Sequence, residues 1–316
     1  MDNLTHSLAG WALGQAGLKQ KSRKGLAALI LGANAPDIDV FFQWAPWEPL
    51  ATHRGFTHSL IGGVAILPLV LWGLLMLLDR WQVGRGTHFK SGLAMRPAWL
   101  LGLCYIGALT HPLLDLQTTY AVQLFSPLSG RWFHSDSLFI IDVWLWSLVA
   151  LTIAWSRMRE KQRRAHWQRP VQVALVAVFA YICLNVGLSE RAIADVRARH
   201  PQAQAIFASA QPVKWWQRRM SWRNNARIHR APWHIVGGLG PEGQPVETMM
   251  DDPMVLRAIH DDPILRKFLY WSILPVANVT RDGCEARVLV TDGRYGLPGE
   301  NRRGPLGRET RVDLCT

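Results

Sequence analysis

The stretch THRGFTHSLIGGVAILPLVLWGLLMLL, residues 52–78, places a polar segment directly before an apolar run. Residues 60–78 carry no charged side chain. As a helix this run would be about 28 Å long, close to the hydrocarbon thickness of a bilayer. His53, Arg54 and His58 therefore stand where a predicted membrane helix begins. The stretch indicates a membrane protein with ionisable side chains at the membrane boundary.

The composition also favours a membrane protein with a soluble part. Only 18% of the 316 residues are charged and 49% are hydrophobic, which is a low charge content for a soluble domain. The mean hydropathy is only +0.04, so part of the chain must be polar. The apolar residues are concentrated before residue 189. We therefore expect a membrane-embedded domain at 1–189 and a soluble C-terminal domain at 190–316.

The apolar segments predict a bundle of membrane helices. Four are long enough to cross a bilayer, namely 59–79, 97–118, 138–156 and 170–188. Two shorter ones, 4–18 and 25–35, precede them and predict a helical hairpin within the bundle, where the G-x-x-x-G pair Gly10 and Gly14 would allow close packing. The expected fold is mainly α: a polytopic membrane bundle of four full spans plus a short N-terminal hairpin, followed by a small soluble α+β domain.

The charges in the loops predict an orientation. The net charge is +12, but much of it lies in three loops, 19–24, 80–96 and 157–169. Together these loops hold fourteen Lys and Arg residues, whereas loops 36–57 and 116–137 hold two. The positive-inside rule places the basic loops in the cytoplasm. The other loops and the C-terminal domain would face the periplasm of a bacterial inner membrane. The partner predicted by this distribution is the lipid bilayer and not nucleic acid.

The C-terminal region has a mixed pattern. Residues 190–210 have helical spacing, and the segment RDGCEARVLVTDGRYG, 281–296, combines turn signals with a β-like run. Four tryptophans lie among arginines and indicate either a surface that docks at the membrane interface or a small β domain; they are Trp215, Trp216, Trp222 and Trp233. Cys284 and Cys315 would form a disulfide if this region is exported, and otherwise stay as free thiols.

Histidines and aspartates recur at one end of the predicted bundle. They lie at segment ends that the predicted topology places on the non-cytoplasmic side. These residues are His6, Asp37, Asp39, His53, His58, His111, Asp115, His134, Asp136 and Asp142. Ionisable groups at membrane depth are costly, so their convergence there points to function.

The residue types suit a divalent metal. His111 and Asp115 are four residues apart and share a helix face, and Asp37 and Asp39 alternate in a stretch that we expect to be extended. Imidazole and carboxylate ligands favour zinc, with manganese or iron as alternatives. The predicted metal ligands are His6, Asp37, His53, His58, His111 and Asp115. Asp39 and Arg54 are the predicted catalytic residues, with Arg54 holding an anionic oxygen of the substrate.

Each of these residues also has a structural interpretation. His6 and His53 would then be polar residues near the surface, Asp37 would cap a helix or turn, and His134 and Asp136 would be solvated. Thr5, Thr57 and Thr110 each precede a histidine and could serve as caps. Motifs of other enzyme classes are missing from the sequence: there is no H-E-x-x-H, no G-x-S-x-G and no P-loop.

Four elements together resemble a known family. They are LTHSLAGWALG, LGANAPDIDV, HRGFTHSL and THPLLDLQTTYAVQLFSP, all within residues 1–150. The resemblance is to the membrane-bound metal-dependent hydrolases, the YdjM-like group of LexA-binding, inner-membrane-associated proteins. It implies a multi-span inner-membrane protein with a bound metal and hydrolytic activity. The polar positions of that family match His6, Asp37, Asp39, His53, Arg54, His58, His111 and Asp115 in this chain.

Three functions are compatible with the sequence. The first is an inner-membrane hydrolase whose metal activates water at the periplasmic end of the bundle, on a phosphoester or lipid-linked substrate. The second is a non-catalytic membrane protein with a structural metal site or a polar network between helices. The third and weakest is a metal transporter, which would need ligands on both sides of the membrane, where the cytoplasmic loops offer mainly Lys and Arg.

Overall fold

The computed structural model describes residues 1–42, 53–298 and 306–315. Residues 43–52 of the predicted loop 36–57 therefore lie outside the described residues. The described chain divides into two compact units, one formed by residues 1–42 and 53–186 and the other beginning at Gly187. The two are described separately below.

The first unit is helical. Its main helices are α1 (Asn3–Gln15), α2 (Gly25–Asn34), α3 (Leu67–Gly84), α4 (Pro97–Asp115), α5 (Val143–Lys161) and the first part of α6 (Arg169–Arg199). Short 3-10 helices occupy Leu18–Gln20, Ala35–Phe42 and Phe56–His58, and a π-helical stretch, Leu60–Ile66, leads into α3. The predicted N-terminal hairpin corresponds to α1 and α2.

Among the described residues, three helices are long and apolar enough to cross a membrane, namely Leu60–Gly84, Pro97–Asp115 and Arg169–Arg199. Many of their large apolar side chains point outward, such as Leu77 with 62% and Phe179 with 69% of its surface exposed. The predicted span 138–156 is not among the three. Helix α5 begins only at Val143, and its uncharged part, 143–156, would be about 21 Å long, too short for a full crossing. Four full spans are therefore not confirmed.

Helix α2 packs closely between α1 and α4 because glycines face it from both sides. A Cβ atom on Gly10 would lie 2.6 Å from the carbonyl oxygen of Leu29, and one on Gly107 would lie 2.5 Å from the same oxygen. On Gly14 it would meet the side chain of Leu26 at 2.5 Å. The close packing predicted from Gly10 and Gly14 is thus confirmed, and it brings the C-terminal end of α2 against α4.

The substitution Gly107→Ala tests this packing. The added methyl group would clash with the backbone of α2, so we expect the free energy of unfolding to fall by about 1–3 kcal/mol, as in other overpacked cores. Gly102→Ala on the same helix is the matched control, since no atom lies within 4 Å of its Cβ position. Thermal unfolding of the full chain in detergent should show a lower midpoint for the first variant only. Equal midpoints would contradict the close contact.

The described part of the second unit contains the end of α6, two antiparallel sheets and two short helices. In the larger sheet β1 (Gln204–Ala210), β2 (Gln217–Asn224), β3 (Arg227–His234) and β4 (Gly238–Leu239) follow one another, and β5 (Val246–Glu247) also pairs with β3. In the smaller sheet the order is β6 (Pro275–Asp282), β7 (Glu285–Asp292) and β8 (Gly307–Asp313). Between them in sequence lie α7 (Pro253–Asp261) and α8 (Pro263–Trp271).

Several expectations for this region need correction. The helix predicted over 190–210 ends at Arg199, and β1 begins at Gln204, where the β-branched and aromatic residues Ile206 and Phe207 favour a strand. Trp222 and Trp233 are 0% and 1% exposed and belong to the core against the end of α6, so they do not form a docking surface. The predicted β-like run is confirmed as β7, which pairs with β6. Cys284 and Cys315 form a disulfide.

Candidate metal centre

Three chain segments bring the predicted ligands together. The 3-10 helix Ala35–Phe42 follows directly on α2 and carries Asp37 and Asp39, so the extended conformation predicted for these two residues is wrong. The turn Phe56–His58 carries His58 to the start of the π-helical stretch, where Ser59 Oγ accepts a hydrogen bond from the amide of Gly62 at 3.0 Å. Helix α4 supplies His111 and Asp115 from its last turns.

Asp37, His58 and His111 form one group of possible metal ligands, and Asp115 lies against both histidines. His58 Nε2 lies 3.1 Å from Asp37 Oδ1 and 3.7 Å from Asp115 Oδ2. His111 Nε2 lies 3.5 Å from Asp37 Oδ1 and 3.2 Å from Asp115 Oδ2. Ligands about 2.0–2.2 Å from a zinc ion in tetrahedral geometry are about 3.3–3.6 Å from one another. The four separations lie around that range.

The tautomer of His111 leaves a lone pair facing this group. Its Nδ1 lies 2.7 Å from the carbonyl oxygen of Ala33. Because a carbonyl oxygen only accepts, Nδ1 carries the proton and Nε2 is the free ligand atom. This is the usual second contact of a metal-binding histidine, in which the far nitrogen donates to a backbone carbonyl. Ala33 lies in α2, so the close packing of α2 on α4 fixes the orientation of His111.

His58 is oriented in the same way by Thr57 and Asp39. The hydroxyl of Thr57 donates to Asp39 Oδ2 at 2.9 Å, and its oxygen lies 3.1 Å from His58 Nδ1. The threonine oxygen can therefore accept the Nδ1 proton, which leaves Nε2 of His58 as the ligand atom. Burial lowers the pKa of His58 to about 4, so the ring is neutral at physiological pH and available as a ligand.

The ligand atoms of this group are buried. His58, His111 and Asp115 are 0% exposed and Asp37 is 7% exposed. Two carboxylates and two imidazole lone pairs meet there, and all of these are acceptors. Among the described residues, Asp37 Oδ2, His111 Nε2 and Asp115 Oδ2 have no hydrogen-bond partner. Unpaired buried acceptors are costly, whereas a divalent cation between these side chains would give such atoms a partner. The side chains present thus fit a metal ion.

His6 and Arg54 surround the other oxygen of Asp115. His6 Nε2 lies 3.5 Å and Arg54 Nη2 3.2 Å from Asp115 Oδ1, and the α-amino group of Met1 contacts the same atom. The ring of His6 stacks on that of His111 with centroids 3.7 Å apart. Arg54 also donates to Thr118 Oγ1 at 2.8 Å and lies over the ring of Tyr120. His6, His111 and Asp115 form a second group of possible metal ligands.

The more accessible edge of the centre is formed by Asp39 and His53, whose side chains are 14% and 26% exposed. His53 Nδ1 donates to Asp39 Oδ1 at 3.1 Å, and these two with His58 form a third possible ligand group. Burial alone would raise the pKa of Asp39, but the contacts with His53, His58 and Thr57 hold it below its ordinary value. Asp39 is therefore ionised at neutral pH.

The structure brings all eight predicted site residues together, and three other polar residues belong to none of the ligand groups. His134 Nδ1 lies 3.0 Å from Asp136 Oδ1, and neither belongs to the three ligand groups. Asp142 caps α5 by accepting from the amides of Trp144 and Leu145. The sequence did not single out Ala33, and Thr57 was expected only as a cap. A hydroxyl directly before a histidine is the one signal that pointed to Thr57.

The comparisons with known proteins agree with a membrane domain in the first part of the chain. A family model described as YdjM inner membrane protein matches residues 1–193, more than half of the chain. The match includes every residue of the metal centre. No curated protein and no solved structure matches the chain. The chain therefore belongs to the YdjM inner membrane protein family.

Proposed function

We propose that this protein is a metal-dependent hydrolase of the inner membrane that acts on a phosphoester, including one carried by a lipid. The observation that carries the proposal is the buried cluster of Asp37, His58, His111 and Asp115, in which each histidine Nε2 lies 3.1–3.7 Å from carboxylate oxygens of the two aspartates and in which Asp37 Oδ2, His111 Nε2 and Asp115 Oδ2 have no hydrogen-bond partner among the described residues. A divalent cation held there would make water a stronger acid and polarise a phosphoryl oxygen.

The residues around the four ligands have separate roles in this proposal. The carboxylate of Asp39 is ionised at the accessible edge, where it can take a proton from an attacking water molecule. His53 orients Asp39 through the 3.1 Å contact. Arg54 holds Asp115 in place through Nη2, and its Nε has no hydrogen-bond partner among the described residues. That N–H is the group through which Arg54 would contact an anionic oxygen of the substrate.

The proposed location of the C-terminal unit is the periplasm. The loop charges favour this side, and the Cys284–Cys315 disulfide adds independent support. Structural disulfides persist in oxidising compartments such as the periplasm and are rare in the bacterial cytosol. The metal centre would then lie at the periplasmic end of the bundle, close to the headgroups of the outer leaflet.

Hydrolase activity is tested with the full chain, loaded with zinc or manganese and reconstituted in lipid nanodiscs. The panel contains a phospholipid monoester, a phospholipid diester and two soluble nitrophenyl phosphoesters, and released product is measured. At saturating metal we expect Asp39→Asn to lower the rate by about 100-fold or more, since a general base contributes that much. Asp136→Asn is the matched control and should keep the rate, because Asp136 lies outside the ligand groups.

A non-catalytic role is the second candidate, and the burial of the ligands favours it. Catalytic metal sites keep one open position, whereas structural sites are closed, and His58, His111 and Asp115 are 0% exposed. In this case metal-loaded protein would hydrolyse none of the four substrates, while chelation would still lower the unfolding temperature. That combination of results would refute the hydrolase and retain the metal site.

A further inference from the structure

A groove between α5 and the beginning of α6 belongs to none of the ligand groups. It has a volume of about 420 Å³ and is open on one side. Its walls are formed by Leu148, Trp155, Val173 and Ala177, and two arginines, Arg159 and Arg169, line it as well. No residue of the metal centre contributes to it. The groove is therefore a feature separate from the metal centre.

The apolar walls of the groove face outward. Trp155 is 52% and Val173 is 68% exposed, although both belong to helices of the membrane unit. Large apolar side chains so exposed on a membrane helix are in contact with lipid. A groove with such walls takes up a hydrocarbon chain without any cost of desolvating polar groups.

The two arginines give the groove a cationic end. Arg159 donates from Nη2 to the carbonyl oxygen of Ala165 at 3.3 Å, but its buried Nε has no hydrogen-bond partner among the described residues. The nearby carboxylate of Glu160 is used by Lys19 at 2.6 Å. Arg169 is the first residue of α6, so the positive end of a 31-residue helix lies beside it.

The surrounding charges favour an anion at this end. The connection 157–169 between α5 and α6 carries six Lys and Arg residues and a single acidic one, Glu160. Basic pockets between membrane helices are suited to the headgroups of acidic lipids. We propose that the groove binds one anionic phospholipid, with an acyl chain along Trp155 and Val173 and its phosphate between Arg159 and Arg169.

The test uses the full chain in detergent and native mass spectrometry. The protein is titrated with phosphatidylglycerol, with phosphatidylcholine of the same acyl chains, and with glycerol phosphate as the headgroup without chains. We expect phosphatidylglycerol to bind at least about tenfold more tightly than phosphatidylcholine, because each arginine near the phosphate adds favourable electrostatic energy. Glycerol phosphate should bind far more weakly, since it lacks the chain.

Two variants separate the two parts of the groove. Arg159→Gln combined with Arg169→Gln should lower the affinity for phosphatidylglycerol about tenfold, whereas Arg163→Gln combined with Arg164→Gln, which removes the same charge outside the groove, should lower it much less. Ala177→Trp should weaken the binding of both lipids by filling the groove, with Ala180→Trp as its control. Three results would each overturn the proposal. They are equal losses of phosphatidylglycerol affinity in the two arginine double variants, equal binding of the two lipids, and binding of glycerol phosphate as tight as that of phosphatidylglycerol.

Discussion

Replacing His58 or Asp115 by alanine is expected to prevent the purified protein from retaining a divalent cation at the proposed metal centre. Each substitution removes one of the four donor atoms, and His58 Nε2 and Asp115 Oδ2 lie 3.7 Å apart, so both contribute to the same position. Losing an outer partner of a metal ligand costs about 10–100-fold in affinity, so we expect the loss of a ligand itself to exceed 100-fold. Elemental analysis after equilibration with limiting zinc measures the difference directly.

The controls for this experiment come from the same end of the bundle. His134→Ala removes an imidazole that pairs with Asp136 and belongs to none of the ligand groups, so it should keep the full metal content. Asp115 also pairs with Arg54, so its truncation removes an ion pair as well as a ligand. Asp115→Asn keeps the shape of the side chain, so circular dichroism of this variant separates loss of metal from loss of structure.

Thr57→Val should have an effect on metal binding between that of the ligand variants and that of the His134→Ala control. It keeps all four ligands but removes the hydroxyl that lies between His58 Nδ1 and Asp39 Oδ2. We expect the metal affinity to fall by about 10–100-fold, the effect usual for an orienting partner. Metal content that is unchanged in both His58→Ala and Asp115→Ala would refute the centre altogether, and so would a loss of metal in the His134→Ala control.

The sequence was sufficient to identify the residues that the structure brings together at this centre. Each histidine or aspartate stands at the end of an apolar segment, and the reversals of the chain bring those ends together. The spacing of His111 and Asp115 also gave their common helix face, and the structure places their facing atoms 3.2 Å apart.

The roles of individual residues depend on contacts between distant segments, which no local pattern encodes. His111 is oriented by Ala33, 78 residues away in the chain, and Arg54 contacts Asp115 through a turn whose conformation the sequence does not reveal. Length and hydropathy alone also overestimated the span 138–156, because the helix start at Val143 depends on the cap formed by Asp142. A docking surface was one of two interpretations of Trp222 and Trp233, because arginines surround them in sequence, but strand alternation puts both on the inner face.

The second large effect is expected in the C-terminal unit, where Asp292 and Arg294 form an ion pair with both side chains 0% exposed. Asp292 Oδ1 accepts from the Nε and the backbone amide of Arg294, each at 2.8 Å, and Oδ2 accepts from Ser272 Oγ at 2.6 Å. The guanidinium group also lies over the ring of Trp271, 4.5 Å from its centre. This network joins the end of β7 to the end of α8.

Asp292→Asn leaves the charge of Arg294 buried without its partner, so we expect the free energy of unfolding to fall by about 3–5 kcal/mol at pH 7. Asp282→Asn, at the exposed turn of the same hairpin, should change it by less than about 0.5 kcal/mol.

Burial would raise the pKa of Asp292, but the charge and hydrogen bonds of Arg294 hold it below the ordinary value of 3.8. A carboxyl group whose pKa is lower in the folded state stabilises the fold fully above pH 3.8, and this stabilisation is lost as the pH falls through the lower folded-state pKa. The difference between the wild type and Asp292→Asn should therefore be constant from pH 7 to pH 5 and shrink below about pH 3.8. Thermal unfolding of the full chain, followed by near-ultraviolet circular dichroism, measures it, and a difference that grows on acidification would contradict the buried ion pair.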